Sequence, residues 1–465
     1  MMFKILTAFF LLTLSAHALS SYGQARRLYE AQKLRNPQKL FIELVDAKLY
    51  FSALPLAKEI LVKSAGRFSG KSDQAFSELI QVVGVKQFET LPQSYLGRTN
   101  SSDLKYIMAK KAFRDGKNSS AIRYLLGINS SDIVYPYAKQ MQATIYSIEG
   151  KQETAFDAFD KCEKSSNSKI GSASRRDSAR LKLNRDLCIV GKARVRFAQK
   201  SYDDSDLLYL DLPKSSKVWP EILYEEGWNS YYQQNYNRTL GKLVSYKAPV
   251  FDYFFNPEVD VLQALSYMKL CLYGDAQKIV DDFYARYYRD TKYLRRLIQK
   301  LGKDYKKYFA LVNRYERFGK APNNLIEKQI KNILNEVVYL DLKHQMILNV
   351  RELNRIRANR KGSFNTFLYN SAQESLASYQ SLMGNYIRSK FVSYYAQLYK
   401  AFEEFGEKLG VIFQMSDDII DFNPASQKTY GLDFKNNNIN FVLLFLGKKH
   451  PDLSKKFLQM DDIEE

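Results

Sequence analysis

The densest chemistry in the sequence lies near its C-terminus. Gln414-Met415-Ser416-Asp417-Asp418-Ile419-Ile420-Asp421 groups three carboxylates, followed by Ser426, Lys428, Thr429, Gly431 and Asp433. On a helix, Asp417 and Asp421 share one face and Asp418 lies beside it. Carboxylates grouped in this way hold Mg²⁺, and a bound Mg²⁺ can grip a diphosphate. An isolated cluster of this type also occurs as a solvated acidic turn. Histidine chemistry is nearly absent: the three histidines are His17, His344 and His450. Residues 18–343 therefore lack the means for Ser-His-Asp or Cys-His catalysis and for His-ligated zinc. Three cysteines cannot form a Cys₄ zinc site.

The segment 403–447 resembles the C-terminal part of the polyprenyl (isoprenyl diphosphate) synthase family, around its second aspartate-rich motif. The resemblance implies Mg²⁺ binding by Asp417, Asp418 and Asp421. It also implies diphosphate contact by Lys428 and a place in the site wall for Gln414. Such enzymes need a first aspartate-rich motif on a facing helix. The Asp pairs at 203–204, 281–282 and 461–462 do not have that form. A non-enzymatic chain with no cofactor is the leading expectation. The alternative is an Mg²⁺-dependent isoprenyl diphosphate synthase-like prenyltransferase acting through this segment.

The elements that would carry these residues follow from composition and spacing. The chain has 465 residues, 45% of them hydrophobic, with only 21 Gly and 11 Pro. So few turn residues argue against a sandwich or barrel and for an all-α fold. Lysine and arginine number 70 against 50 Asp and Glu, a net charge of +20, which draws anionic partners. The N-terminus joins Met1-Met2-Phe3-Lys4 to an apolar run, Ile5–Leu14, and closes with Ala16-His17-Ala18. That pattern reads as a secretory signal peptide over 1–18, and an exported, periplasmic or envelope-associated protein is expected. No later stretch reads as a transmembrane helix.

Small residues recur in pairs 12 apart: Ala109 with Ala121, Ala143 with Ala155, Ala193 with Ser205, Gly227 with Thr239, and Ala264 with Ala276. Asn118, Gln152, Tyr202, Tyr236 or Tyr273 stands three residues before each second member, and Leu125, Phe159, Tyr209, Leu243 or Val280 four after. Two antiparallel helices approach closely only where both carry small side chains, and a large residue then fills the gap to the next hairpin. This pattern resembles the tetratricopeptide repeat (TPR) family over about 101–290, with a degenerate copy expected around Leu54 and Ala57. The resemblance implies a solenoid whose concave face is built from the first helix of each hairpin. The Ser205 and Thr239 positions depart from the family's usual alanine.

On such a first helix, Tyr224, Trp228 and Tyr231 lie one turn apart and could grip a partner peptide; the alternative is packing between repeats. Residues 164–185, rich in Ser, Lys and Arg, are expected to loop out as an insert. Cys162 and Cys188 flank them, either as a disulfide at the loop base or as two buried thiols. Cys271 is expected to be buried and single.

Residues 284–320 carry 12 Lys/Arg against 3 Asp/Glu, among nine Tyr/Phe. Single-stranded nucleic acid is one reading of such a stretch. A solvated basic face with its aromatics turned inward is the favoured one; where the charge has a target, anionic envelope polymers or lipid headgroups fit the expected compartment. Ile326, Ile330, Ile333, Val337, Leu340, His344 and Ile347 follow coiled-coil steps. With a turn at Arg360–Ser363 and a return through Leu376–Phe402, they predict a long hairpin projecting as a protein-contact arm. The expected order is signal peptide 1–18, N-terminal helices 19–100, solenoid 101–290, basic linker and hairpin 291–402, and a C-terminal segment 403–465. The expected function is an exported scaffold that binds envelope proteins through its concave face.

Overall fold

The computed structural model describes residues 20–31, 36–63, 68, 70–97, 100–251, 253–358 and 361–421, with side chains as far as Gly406. The described residues are helical throughout, without a strand. Helix α1 (20–31) is followed by α2 (Pro37–Asp46), α3 (Tyr50–Lys63), α4 (Gly70–Val83) and the short α5 (Gln93–Leu96). Five hairpins come next: α6 (Ser102–Arg114) with α7 (Asn118–Leu126), α8 (Tyr135–Ile148) with α9 (Gln152–Ile170), α10 (Arg175–Ala198) with α11 (Tyr202–Leu210), α12 (Trp219–Tyr232) with α13 (Tyr236–Tyr246), and α14 (Glu258–Lys269) with α15 (Tyr273–Leu301). The chain continues through α16 (Tyr305–Phe318), α17 (Asn324–Asn335), α18 (Val337–Ala358) and α19 (Ser363–Asp421). None of these helices is long and apolar enough to cross a membrane.

The 12-residue pairs are where the hairpins close. Ala109, Ala121, Ala143, Ala155, Ala193, Ser205, Thr239 and Ala276 are fully buried, and Ala264 nearly so. Gly227 cannot easily grow: a Cβ would stand 3.3 Å from both Leu243 and Leu262. Thr239 keeps its hydroxyl satisfied by donating to the Gly227 carbonyl at 3.1 Å. The aromatic or polar residue three before each second member is the first residue of the second helix in every hairpin.

One turn serves all five hairpins. Gly116, Gly150, Lys200, Gln234 and Cys271 each take a left-handed φ, between 60° and 76°. The next residue's N–H then bonds the carbonyl five back, as in Lys117 to Ala112 at 2.8 Å and Leu272 to Tyr267 at 2.9 Å. This is the Schellman closure of a helix end. Lys48 repeats it between α2 and α3, with φ 62° and Leu49 N–H bonding Leu44 at 2.9 Å. The degenerate copy expected around Leu54 and Ala57 is this α2–α3 hairpin, with both residues buried on α3.

Several expectations are corrected here. Residues 164–185 do not loop out: they lengthen α9 and α10, leaving a four-residue break at 171–174. Ser174 caps α10, accepting from Asp177 N at 3.2 Å while its hydroxyl donates to the Asp177 carboxylate at 2.6 Å, a local signal that starts a helix. Cys162 and Cys188 lie within the two helices and are joined as a disulfide, Cα atoms 6.1 Å apart. Cys271 is exposed because it occupies a turn. The coiled-coil seam breaks at Glu336. Ile326, Ile330 and Ile333 are buried, but Leu340 and Ile347 are each 40% exposed and His344 is exposed. Glu336 is held there by α19, accepting from Tyr386, from Lys390 at 2.7 Å and from Tyr394 at 3.2 Å.

The hairpin α18–α19 is not a projecting arm. It shares one apolar core with the N-terminal helices and with α14–α17, running from Leu40, Phe41 and Leu44 through Phe283 and Tyr308 to Phe391 and Phe405. Glu352 on α18 is 1% exposed and caps α3, accepting from Ser52 N at 2.8 Å, Ser52 Oγ at 2.7 Å and Phe51 N at 3.2 Å. Ser375 donates to the Phe51 carbonyl at 2.7 Å, and Tyr379 to that of Val83 at 2.6 Å. At its other end α19 meets α14 through Lys400 and Glu258 at 3.0 Å. The chain is one α19-spined body joined to both ends of the solenoid. The start of the expected linker and hairpin, 291–402, is helical, with a three-residue turn at 302–304 between α15 and α16, and α19 runs unbroken through 402–403.

Candidate functional site

The first helices of successive hairpins carry two cavities, one in a half faced by α18, the covered half, and one in an open half. In the covered half, α6, α8 and the head of α10 face α18 across a cavity of about 360 Å³. Its wall includes Asp103, Tyr106, Tyr137, Arg180, Leu187, Asp341 and Gln345. Close approach of α18 depends on Gly84, whose φ is 84° and whose Cβ would lie 2.3 Å from the Gln345 amide. Arg180 crosses to α18, bonding Asp341 at 2.7 Å. The Asp103 carboxyl is pushed up to about 6 by burial, against the Ser77 hydrogen bond and with help from Asp132. His344 is exposed, and burial together with Arg176 and Arg180 lowers its pKa.

The open half lies at α10–α12. A slot of about 330 Å³ is lined by Arg194, Phe197, Tyr209, Glu225, Trp228 and Tyr232. That is near the lower end of the ~300–1,000 Å³ range of ligand sites. Phe197 and Tyr232 meet edge to face at 5.5 Å, Tyr202 stacks on Tyr232 at 5.8 Å, and Trp228 leans on Tyr232 at 5.8 Å. Tyr232 is 51% exposed. The Arg194 guanidinium forms the polar edge. It is held by Glu225 and, at 2.7 Å, by Glu221. Burial opposes its charge, but the two carboxylates outweigh that and raise its pKa. Tyr209 donates to Glu225 at 2.8 Å, and burial followed by that carboxylate raises the phenol. The arrangement is a preformed aromatic wall beside a pinned, planar cation. With its one carboxylate, Glu225, tied to Arg194 and Tyr209, it is suited to binding a flat or apolar group.

The three aromatics singled out from sequence separate. Trp228 is in the slot wall. Tyr224 donates to Glu258 at 2.8 Å and links α12 to α14. Tyr231 buttresses Trp228 from behind, with ring centres 5.5 Å apart. Arg194, Phe197, Tyr209, Glu225 and Tyr232 were not anticipated. Two were within reach: Arg194 and Phe197 follow Ala193 by one and four residues, as Trp228 and Tyr231 follow Gly227. Gln414, Asp417, Asp418, Asp421 and Lys428 lie outside the residues whose side chains are described, as does the signal-peptide segment 1–18.

These observations define an all-α, TPR-like helical-hairpin solenoid, followed by a long hairpin that packs back on it. No family model and no curated protein matches the chain. Among solved structures it is similar to a monomeric mutant of IFIT1 with Gppp-AAAA, at 14% identity over 78% of this chain and 70% of that one, TM-score 0.26. A second monomeric IFIT1 mutant, with m7Gppp-AAAA in the anti conformation of the cap, is 14% identical over 80% and 81%, TM-score 0.27. At such scores the likeness adds nothing to what the chain's own geometry shows.

Proposed function

We propose that the protein is an exported, non-enzymatic scaffold of the bacterial cell envelope that holds a partner protein on the open half of its inner face. The observation that carries this reading is the slot between Phe197, Trp228 and Tyr232. It presents the half-buried Phe197 and Trp228 and the exposed Tyr232 in a fixed arrangement, beside an arginine already immobilised by Glu221 and Glu225. Rigid aromatics near the centre of a contact surface supply most of its binding energy at small entropic cost. The fitting partner is an extended segment that inserts one large apolar side chain.

The test is selection of 12-residue peptides from a displayed library against the full chain, followed by titration of individual peptides. Selected peptides should share one aromatic or long aliphatic anchor. Trp228→Ala should weaken them by about 2 kcal/mol, roughly thirtyfold, while Tyr224→Phe leaves them unchanged. Peptides that bind Trp228→Ala as tightly as the parent would overturn the reading.

A further inference from the structure

A second surface is independent of the slot. Helix α15 buries Phe283, Thr291 and Leu294 on one side. On the opposite side, at helical spacing, it carries Arg289, Lys292, Arg296 and Lys300, with Lys303 just beyond its end. Arg289, Arg296, Lys300 and Lys303 are exposed, and none is in an ion pair among the described residues. From Arg289 to Lys303 the row is about 20 Å long at 1.5 Å per residue. The neighbouring α16 also carries unpaired cations, Arg317 among them, and ends in Phe318, whose ring is 67% exposed. Both helices rest on the α19 spine, which shares their core. The row is thus a stiff cationic ridge, and the exposed Phe318 closes the next helix.

We propose that this ridge docks on an anionic lipid surface. A straight row of unpaired cations opposite a buried face matches a flat anionic plane. An exposed Phe beside Arg317 can enter the interfacial layer. Single-stranded nucleic acid is the poorer match because it needs a succession of free aromatic faces, and α15 offers only Tyr293, 37% exposed, without a cation over it. Tyr308 is fully buried, and Tyr288 already has the Lys292 ammonium over its ring, 4.0 Å from the centroid.

The experiment is co-sedimentation of the full chain with phosphatidylcholine vesicles containing either 30% phosphatidylglycerol or none, at about 0.1 M salt. The neutral vesicles report any binding through residues 1–18. Binding should require the anionic lipid and fade at 0.5 M salt. The triple variant Arg289→Gln, Arg296→Gln, Lys300→Gln should bind on the order of a hundredfold more weakly, at about 1 kcal/mol per cation. Phe318→Ser should lose a few-fold. Because these side chains are exposed, helicity and melting should match the parent. Equal binding to both vesicles, or an unaffected triple variant of parental helicity, would overturn the proposal. So would a 20-nucleotide RNA that binds more tightly than the anionic vesicles and competes with them.

Discussion

The two halves of the inner face are built from the same hairpin and treated in opposite ways. In the covered half the chain supplies the facing wall itself: α18 stands across the cavity from α6, α8 and α10, and Asp341 takes the Arg180 guanidinium at 2.7 Å. In the open half, Phe197, Trp228 and Tyr232 stand around a slot whose lining, among the described residues, comes from α10, α11 and α12. Apolar area left in water forgoes roughly 25 cal/mol per Å², so bare rings on a face that could have been covered call for a reason. The contrast teaches that repeat geometry alone does not make a binding surface. The appended helices decide which part of it stays available, and here they leave the α10–α12 part.

The most damaging way to break this contrast is to release the cover. Glu352 accepts three hydrogen bonds from Phe51 and Ser52 with almost no exposure, tying α18 to α3. Glu352→Ala strands those donors, each costing about 1–3 kcal/mol when buried. A loss of about 3 kcal/mol is expected, read as a lowered urea midpoint. Hydrogen exchange should quicken in α3 and α18 while α12 keeps its protection. Equal loosening of α12 would show that the two halves do not behave separately.

A second change sharpens the contrast through pH. Asp103 sits in the covered half with its pKa raised from 3.8 to about 6. A raised folded-state pKa means the folded chain binds that proton more tightly than the unfolded one. The resulting stabilisation is complete below about pH 4 and is lost as pH rises through 6. At pH 7.5 the buried carboxylate is therefore a burden of about 3 kcal/mol. Asp103→Asn should raise the melting temperature at pH 7.5 and change it little at pH 4. The same gain at both pH values would mean that the group is solvated and the cover open.

Much of this was legible beforehand, for physical reasons. Tight hairpins force small residues into facing positions, so Ala143 and Ala155 or Gly227 and Thr239 announce the crossing, and Tyr202 or Tyr236 the start of the second helix. The misreadings share a cause: long-range partners that periodicity cannot display. The 164–185 stretch has a loop's composition, yet the Ser174 cap and the Cys162–Cys188 link make it helical. The seam ends at Glu336 because Tyr386, Tyr394 and Lys390 hold that carboxylate. The arm reading failed because the apolar faces of α2 and α3, such as Phe41 and Leu54, need the cover that α18 and α19 provide. The slot is half legible: Trp228 follows Gly227 by one residue, and the same register from Ala193, one hairpin back, leads to Arg194 and Phe197.

The gentlest change asks whether the two halves share one framework at all. Lys48, Lys200, Gln234 and Cys271 hold left-handed φ values of 60–62°, which costs a residue with a Cβ about 1–2 kcal/mol. Glycine avoids that cost but gives back some stability through its greater unfolded-state freedom. Each of Lys48→Gly, Lys200→Gly and Gln234→Gly should therefore stabilise by about 0.5 kcal/mol, measured as small upward shifts in denaturation midpoint. Lys48 belongs to the hairpin that α18 and α19 cover; Lys200 and Gln234 flank the open slot. Equal increments would mean that the turns are interchangeable and that only the cover distinguishes the halves. A gain at Lys48 with a loss at Lys200 or Gln234 would place the difference in the hairpins themselves and remove the basis for treating the slot as a repeat face left uncovered.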